Sequence, residues 1–407
     1  MRLLYLTPTA AMGGAERVLL DLLALMRRAR PSWPIALVVG NDGPLVADAA
    51  RLGVKTYALP FPRNFAQLGD AGLASPASWA HFARHALSGG MATVRYLRDL
   101  RAVVSSCAPD VVHSNGIKMH LLGALAKPAG AALVWHFHDY PSGRPVTARL
   151  VRALQHRCDS VVAVSDSVAA DIRRHVSRSM DVRTIWNSVD LERFTPEGPR
   201  LDLDALSGLP ALSPDVLRIG LVATFARWKG HIVFLDMLRT LAHTHTFRAY
   251  VIGGPVYETH ASQLSMDELR AAVAERGLTD LVGLTGFVTD TPAALRALDV
   301  VVHASTLPEP FGLVIAEAMA TARALVISDA GGVAEIVSAG QTGLSYPCGS
   351  IEHLTSRVRC LLDDPPLRAQ LGHAAHAAAI EQFNPNRIVG QMLGLYGNLV
   401  RSSAEAA

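Results

Sequence analysis

Short apolar runs alternate along this chain with segments whose apolar positions recur every three or four residues. RLLYLTP (2–8) is followed by AERVLLDLLALMRR (15–28), and PIALVV (34–39), VKTYAL (54–59), DVVHS (110–114), ALVWHF (132–137), DSVVAVS (159–165) and VRTIW (182–186) continue the rhythm. Runs apolar throughout suit strands covered on both faces, and the 3.6-residue period suits the helices that cover them. Residues 61–106 interrupt the pattern and predict a loop with one or two helices carrying Trp79, Arg84, Arg95, Arg98 and Arg101, an insertion over the rim of the sheet. From 195 to 214 the chain is rich in Pro, Gly and Asp and reads as a linker. The rhythm then restarts with VLRIGLVATF (216–225), FRAYVIGG (247–254), LVGLTGF (281–287), LDVVVHAS (298–305), ALVISD (324–329) and GLSYP (343–347). The pattern predicts an α/β protein with a Rossmann-like domain over 1–194 and a second over 215–383. Their cleft should lie between strand C-termini. The amphipathic segment NRIVGQMLGLYGNLV (386–400) predicts a helix over 384–407 that packs back on the first domain.

One stretch carries more chemistry than the rest. Glu309-Pro310-Phe311-Gly312-Leu313-Val314-Ile315-Ala316-Glu317 follows a strand pattern and opens an apolar helix. Pro310 keeps Glu309 out of helical geometry, and Gly312 suits the tight turn. The first amides, near Gly312, Leu313 and Val314, then lack internal partners at the positive end of the helix dipole. Helical side chains lean toward the N-terminus, so Glu317 reaches back to the same place. An anion cradle flanked by two carboxylates suits a phosphate with hydroxyls on either side. Two carboxylates beside a phosphate also require a cation, which must come from elsewhere in the chain. The alternative is an ordinary strand-to-helix turn with surface glutamates.

Composition narrows the setting. A chain of 407 residues, 50% hydrophobic and 18% charged, has room for two buried cores and the balance of a soluble globular protein. The four cysteines (Cys107, Cys158, Cys348, Cys360) have no CxxC spacing, which predicts free thiols in a reducing cytoplasm. The N-terminal apolar run is too short for a signal peptide, and no apolar stretch reaches the ~18 residues of a membrane span. The net charge of +3 hides an asymmetry: residues 1–194 carry 23 Lys and Arg against 14 Asp and Glu, the remainder 15 against 21. A basic first half points to an anionic partner or a membrane surface, with a solvated arginine-rich face as the alternative. Nucleic acid is not expected, because the arginines are scattered and no aromatic-interleaved basic motif appears.

Seven short motifs in order give the chain a family resemblance: GGAER (13–17), VSDS (164–167), NSVDLERF (187–194), FARWKG (225–230), GF (286–287), EPFGLVIAE (309–317) and GGVAEIV (331–337). In this series the chain resembles the retaining glycosyltransferases of family 4, which have the GT-B fold, over nearly its whole length. The resemblance implies that Gly13 and Gly14 form a loop near donor phosphate and acceptor, with Ala15 and Glu16 on the acceptor side. It implies that Lys229 neutralises the leaving diphosphate, Glu317 holds the ribose hydroxyls, Glu309 contacts the transferred sugar, and Gly286 and Phe287 read the base by backbone. Phe311, Gly312, Leu313 and Val314 would complete the nucleotide-sugar site, and His138 would bond the sugar near its 6-position. His113 and His136 read as scaffold. The family usually places an arginine directly after the residue matching Ala223. This chain has Thr224 there, and Arg227 is the expected substitute.

The expected activity is retaining transfer of a hexose-type sugar from a UDP-, GDP- or ADP-sugar to a hydroxyl of a glycan or lipid-linked acceptor, in cell-surface polysaccharide or glycolipid synthesis. No metal or other cofactor is expected: the formal DxD, Asp202-Leu203-Asp204, falls in the expected linker, and Lys229, Arg227 and a helix dipole can supply positive charge. The expected location is cytoplasmic, with peripheral contact at the anionic inner membrane face as an extension. A nucleotide-sugar 2-epimerase and a non-catalytic nucleotide-sugar-binding subunit are the rival readings.

Overall fold

The structure, a computed structural model, describes the chain except residues 62–75, 178, 214, 256–261 and 406–407, with backbone alone for 76–91 and 403–405. The loop expected after Phe61 and the side chains of Trp79 and Arg84 therefore lie outside the described residues. Two compact units are present, Met1–Asn187 with Asn386–Ala407, and Ser188–Pro385.

The first unit is a parallel sheet. Among the described residues its strands are β1 (Leu3–Thr7), β2 (Ile35–Val39), β3 (Lys55–Ala58), β4 (Val111–Asn115), β5 (Ala132–Phe137), β6 (Ser160–Ala163) and β7 (Val182–Thr184), in the order β3-β2-β1-β4-β5-β6-β7. Every residue of β1, β2, β4, β5 and β6 is buried, which is why these runs read as apolar without alternation. The described part of the insertion is one helix, Pro76–Cys107, that turns Tyr96, Leu100 and Val104 inward along one face. The last helix, Pro385–Glu405, belongs to this unit: Ile388, Met392, Leu395 and Tyr396 pack in one core with Leu3, Tyr5, Leu19, Leu23 and Val111.

The second unit repeats the architecture with β8 (Leu217–Val222), β9 (Phe247–Ile252), β10 (Val282–Gly286), β11 (Val300–His303), β12 (Ala324–Ser328) and β13 (Leu344–Tyr346), ordered β10-β9-β8-β11-β12-β13 and parallel throughout. Both units are Rossmann-like. In each sheet the order reverses beside the first strand, between β1 and β4 and between β8 and β11. Such reversals open a crevice beyond the strand C-termini, because the flanking crossovers leave in opposite directions.

The stretch read as a linker carries a short helix, Leu203–Ser207, within the second unit. Asp202 caps it by accepting the Ala205 amide at 2.9 Å. Asp204 is buried, accepts from the Tyr250 hydroxyl at 2.8 Å and pairs with Arg248 at 3.1 Å. Those bonds occupy both carboxylates of the formal DxD.

Candidate active site

In the second unit the chemistry gathers where β8 and β11 end. After β8 the chain makes a single tight turn, Arg227–Lys229, closed by Gly230 at φ 75°. A Cβ on Gly230 would stand 1.8 Å from the Ala304 carbonyl oxygen, so only glycine lets this turn press against the end of β11. The Thr306 amide donates to the Trp228 carbonyl at 2.8 Å and ties the two loops together. The Lys229 ammonium lies 4.2 Å from the centroid of the Trp228 ring and donates to Glu309 Oε2 at 2.5 Å.

Glu309 is fixed from several directions. Its amide donates to the Ala330 carbonyl at 3.2 Å and its carbonyl accepts from Gly332 at 2.6 Å, which laces the loop after β11 to the loop after β12. Its Oε2 also accepts from His303 Nε2 at 3.2 Å and from the Ser305 hydroxyl at 3.3 Å. Ser328 bonds the other face of that imidazole, at Nδ1, at 3.1 Å. Burial alone would raise the Glu309 carboxyl. The Lys229 ammonium and the His303 donor outweigh that and hold it down at about 2. The side chain is thus an anchored anion at any ordinary pH, with one cation beside it.

Gly312, at φ 90°, ends the loop, and the helix Leu313–Ala320 starts at once. The first intrahelical donor is the Ile315 amide, to the Gly312 carbonyl at 2.9 Å, so the amides before it have no preceding helical turn to bond. Phe311 is buried edge-on against Phe383, 6.0 Å between ring centres, and anchors the turn from below. Leu313, Val314 and Glu317 are half-buried on this first part of the helix. Gly286 ends β10 at φ 71°, and Phe287 after it is 68% exposed. Arg227 pairs with Glu268 at 2.6 Å, with both side chains about half exposed. His231, the first residue of the next helix, is fully buried against Phe225, and burial with the nearby Lys229 charge lowers it to about 4.

The first unit places its own set at the β1–β4 reversal. Gly13 is the extended N-cap of helix Gly14–Ala29; Gly14 is exposed, and Ala15 is half-buried. Glu16 in the first turn is 5% exposed, its Oε2 has no hydrogen-bond partner among the described residues, and burial raises its carboxyl to about 7 although the Glu16 and Gly13 amides oppose the shift. His138, just beyond β5, bonds Asn115 Oδ1 through Nε2 at 2.9 Å and lies against His136 with the rings tilted, 4.1 Å between ring centres. Burial lowers its imidazole to about 4. Behind it His136 Nδ1 meets His113 Nε2 at 3.2 Å, and His113 Nδ1 meets the Tyr396 hydroxyl of the last helix at 2.7 Å.

Sequence reasoning missed several participants. His303, Ser305 and Ser328 around Glu309 lie in strand-end runs that read simply as buried. Asn115 escaped for the same reason, although a polar residue closing an apolar strand next to a glycine was a usable signal.

The fold and these positions can be set beside known proteins. The family model for glycosyl transferases group 1 matches residues 211–378, and that for glycosyltransferase family 4 matches residues 12–193. The chain belongs to glycosyltransferase family 4. This glycosyltransferase is 30% identical over 247 residues to the lipopolysaccharide core biosynthesis mannosyltransferase LpcC of Rhizobium leguminosarum bv. viciae, covering 61% of the chain and 66% of that relative, just under two thirds of its length. It is 28% identical to the alpha-maltose-1-phosphate synthase of Mycobacterium tuberculosis over 97% of the chain and 99% of the relative. Among solved structures, Anabaena HepE in complex with UDP has a TM-score of 0.79 at 22% identity over 98% of the chain and all of that protein. Sucrose-phosphate synthase from Thermosynechococcus elongatus has 0.77 at 21% over 99% of the chain and all of that protein. These likenesses give the glycosyltransferase the GT-B fold. No described helix is long and apolar enough to cross a membrane.

Proposed function

We propose that this glycosyltransferase moves a hexose-type sugar from a nucleotide-diphosphate sugar to a hydroxyl of a glycan or lipid-linked acceptor, with retention at the anomeric carbon and without a metal. The observation that carries the reading is the Lys229–Glu309 pair at the β8–β11 reversal, next to a helix that begins on Gly312. A diphosphate docking there gains the helix amides and the lysine charge together, and a leaving group so held needs no divalent ion to offset its charge. Glu309, anchored as an anion, is suited to accept bonds from sugar hydroxyls. Glu317 is suited to the ribose, Gly286 and Phe287 to the base, and the first unit, with Gly13, Gly14, Ala15 and Glu16, to the acceptor. Arg227 would trade its pairing with Glu268 for the phosphate, which costs little because that pair is exposed.

The names of relatives support this scope. One is a lipopolysaccharide core mannosyltransferase, and a structural neighbour is described with UDP and glucose bound. The basic first half suits an acceptor at an anionic membrane face, which would place the protein peripherally on the cytoplasmic side. The test is a panel of UDP-, GDP- and ADP-sugars screened by thermal shift, because ligands that bind only the folded state raise its melting point. Turnover with the stabilising donor then follows in EDTA, with and without candidate acceptors, and the product anomer is read by NMR. Transfer with retention in EDTA is expected. Epimerisation of donor alone, or binding without any turnover, would replace the transferase reading.

A further inference from the structure

The Lys229 pair is not all that holds Glu309 in place. His303 ends β11 and Ser328 ends β12, the parallel strand beside it, and both are buried together with Ser305. Three donors converge on one carboxylate oxygen, Oε2: Lys229 Nζ at 2.5 Å, His303 Nε2 at 3.2 Å and the Ser305 hydroxyl at 3.3 Å. Ser305 also meets His303 Nε2 at 2.9 Å, and the Tyr346 hydroxyl donates to the His303 carbonyl at 3.3 Å. Lysine carries its charge on a flexible stem, whereas the imidazole and the two hydroxyls are set on the ends of neighbouring strands.

The chemistry of these groups fixes a direction. An ionised carboxylate only accepts, so the hydrogen between His303 and Glu309 belongs to Nε2. A neutral imidazole then leaves Nδ1 as an acceptor, and the Ser328 hydroxyl, 3.1 Å away, can donate to it. With the proton on Nδ1 instead, Nε2 would face the buried carboxylate lone pair to lone pair. Ser328 therefore favours the tautomer that Glu309 needs, and it does so from the far side of the ring.

We propose that His303 is a positioning residue for the transfer: with its Nε2 proton secured by Ser328, it fixes the Glu309 carboxylate at the angle that meets the sugar in the transition state. The inference rests on the reading of Glu309 as a sugar contact given above. It adds that donor turnover depends on a histidine and a serine that act only through that carboxylate.

The test uses the full chain, the donor found by the panel, and the variants His303→Leu, His303→Gln, Ser328→Ala and Ser328→Ala with His303→Gln. Leucine keeps bulk but cannot donate. In His303→Leu, kcat should fall by up to about 100-fold, as for a misplaced contact to the reacting sugar, with KM for the donor and calorimetric affinity for its nucleoside diphosphate little changed. A glutamine amide can place an N–H where Nε2 stands and has no tautomers, so His303→Gln should recover most of kcat. Ser328→Ala should lower kcat when His303 is present and change nothing when glutamine replaces it. A glutamine variant no better than leucine, or a fall in kcat matched by weaker diphosphate binding, means a merely structural role and overturns the proposal. Nitrogen-15 spectra of labelled histidine give an answer independent of turnover, the His303 signal being the one that His303→Gln removes. Nε2 should carry the proton in wild type, and Nδ1 should take a share of it in Ser328→Ala. If no donor is turned over, the transferase reading falls. An Nε2 without its proton in wild type, or a His303 signal unmoved in Ser328→Ala, overturns the present inference in either case.

Discussion

Replacing Glu309 with glutamine should destabilise the second unit, and the loss should fade in acid. The folded carboxyl is held at about 2 against an ordinary 4.5. At about 1.4 kcal/mol for each tenfold change in proton affinity, that difference is worth about 3 kcal/mol. Because the folded value lies below the unfolded one, the contribution is whole above pH 4.5 and declines as pH falls toward 2. By pH 3 the same relation leaves about 1.4 kcal/mol. Glutamine keeps the shape but cannot balance the Lys229 ammonium 2.5 Å away or match the His303 donor with a charge. Urea unfolding followed by pulsed hydrogen exchange, read on peptides from residues 217–382, isolates this unit from the other. Wild type should exceed Glu309→Gln by about 3 kcal/mol at pH 7 and by about half that at pH 3. A gap of equal size at both pH values, or none at pH 7, would refute the electrostatic account of this site.

Other expectations follow from the same contacts. Lys229→Ala should cost about 3 kcal/mol of transition-state stabilisation, roughly 100-fold in kcat, measured with saturating donor. Arg227→Ala should cost less than about tenfold in the same assay, since the side chain is half exposed and already paired with Glu268. Asp204→Ala should destabilise the second unit by about 3–5 kcal/mol in the unfolding experiment, because it strands the buried Arg248 charge. Tyr396→Phe should cost about 1–2 kcal/mol in the first unit, where the hydroxyl meets both Tyr5 and His113; an unchanged exchange rate for β1 amides would count against that bond.

Much of the fold was legible because the sheets are parallel and covered on both faces. LLYLT, IALVV, VVVH and ALVIS consist mostly of apolar residues, and such runs announce buried strands from sequence alone. Site positions were legible where a motif carries its own local geometry, as Pro310 and Gly312 do before the helix. What stayed hidden depends on partners far away in sequence. His303 matters because Ser328 and Glu309 hold it, and Asn115 because His138, 23 residues later, meets its amide. Residues 195–214 show the same limit. Their Pro, Gly and Asp content suggests a free tether, yet Tyr250 and Arg248 hold Asp204 in a buried cluster. Local composition carries no record of such pairings.

The last helix has one more consequence. Ile388, Met392, Leu395 and Tyr396 complete a core whose other members come from the first 185 residues, and all of 188–385 is made between the two. During synthesis the leading half therefore leaves the ribosome with a gap in its interior, and waits while the trailing half emerges and closes its own sheet. The first unit can complete its core only after the second has been translated, and nascent chains stalled before residue 386 should recruit chaperones to the exposed seam.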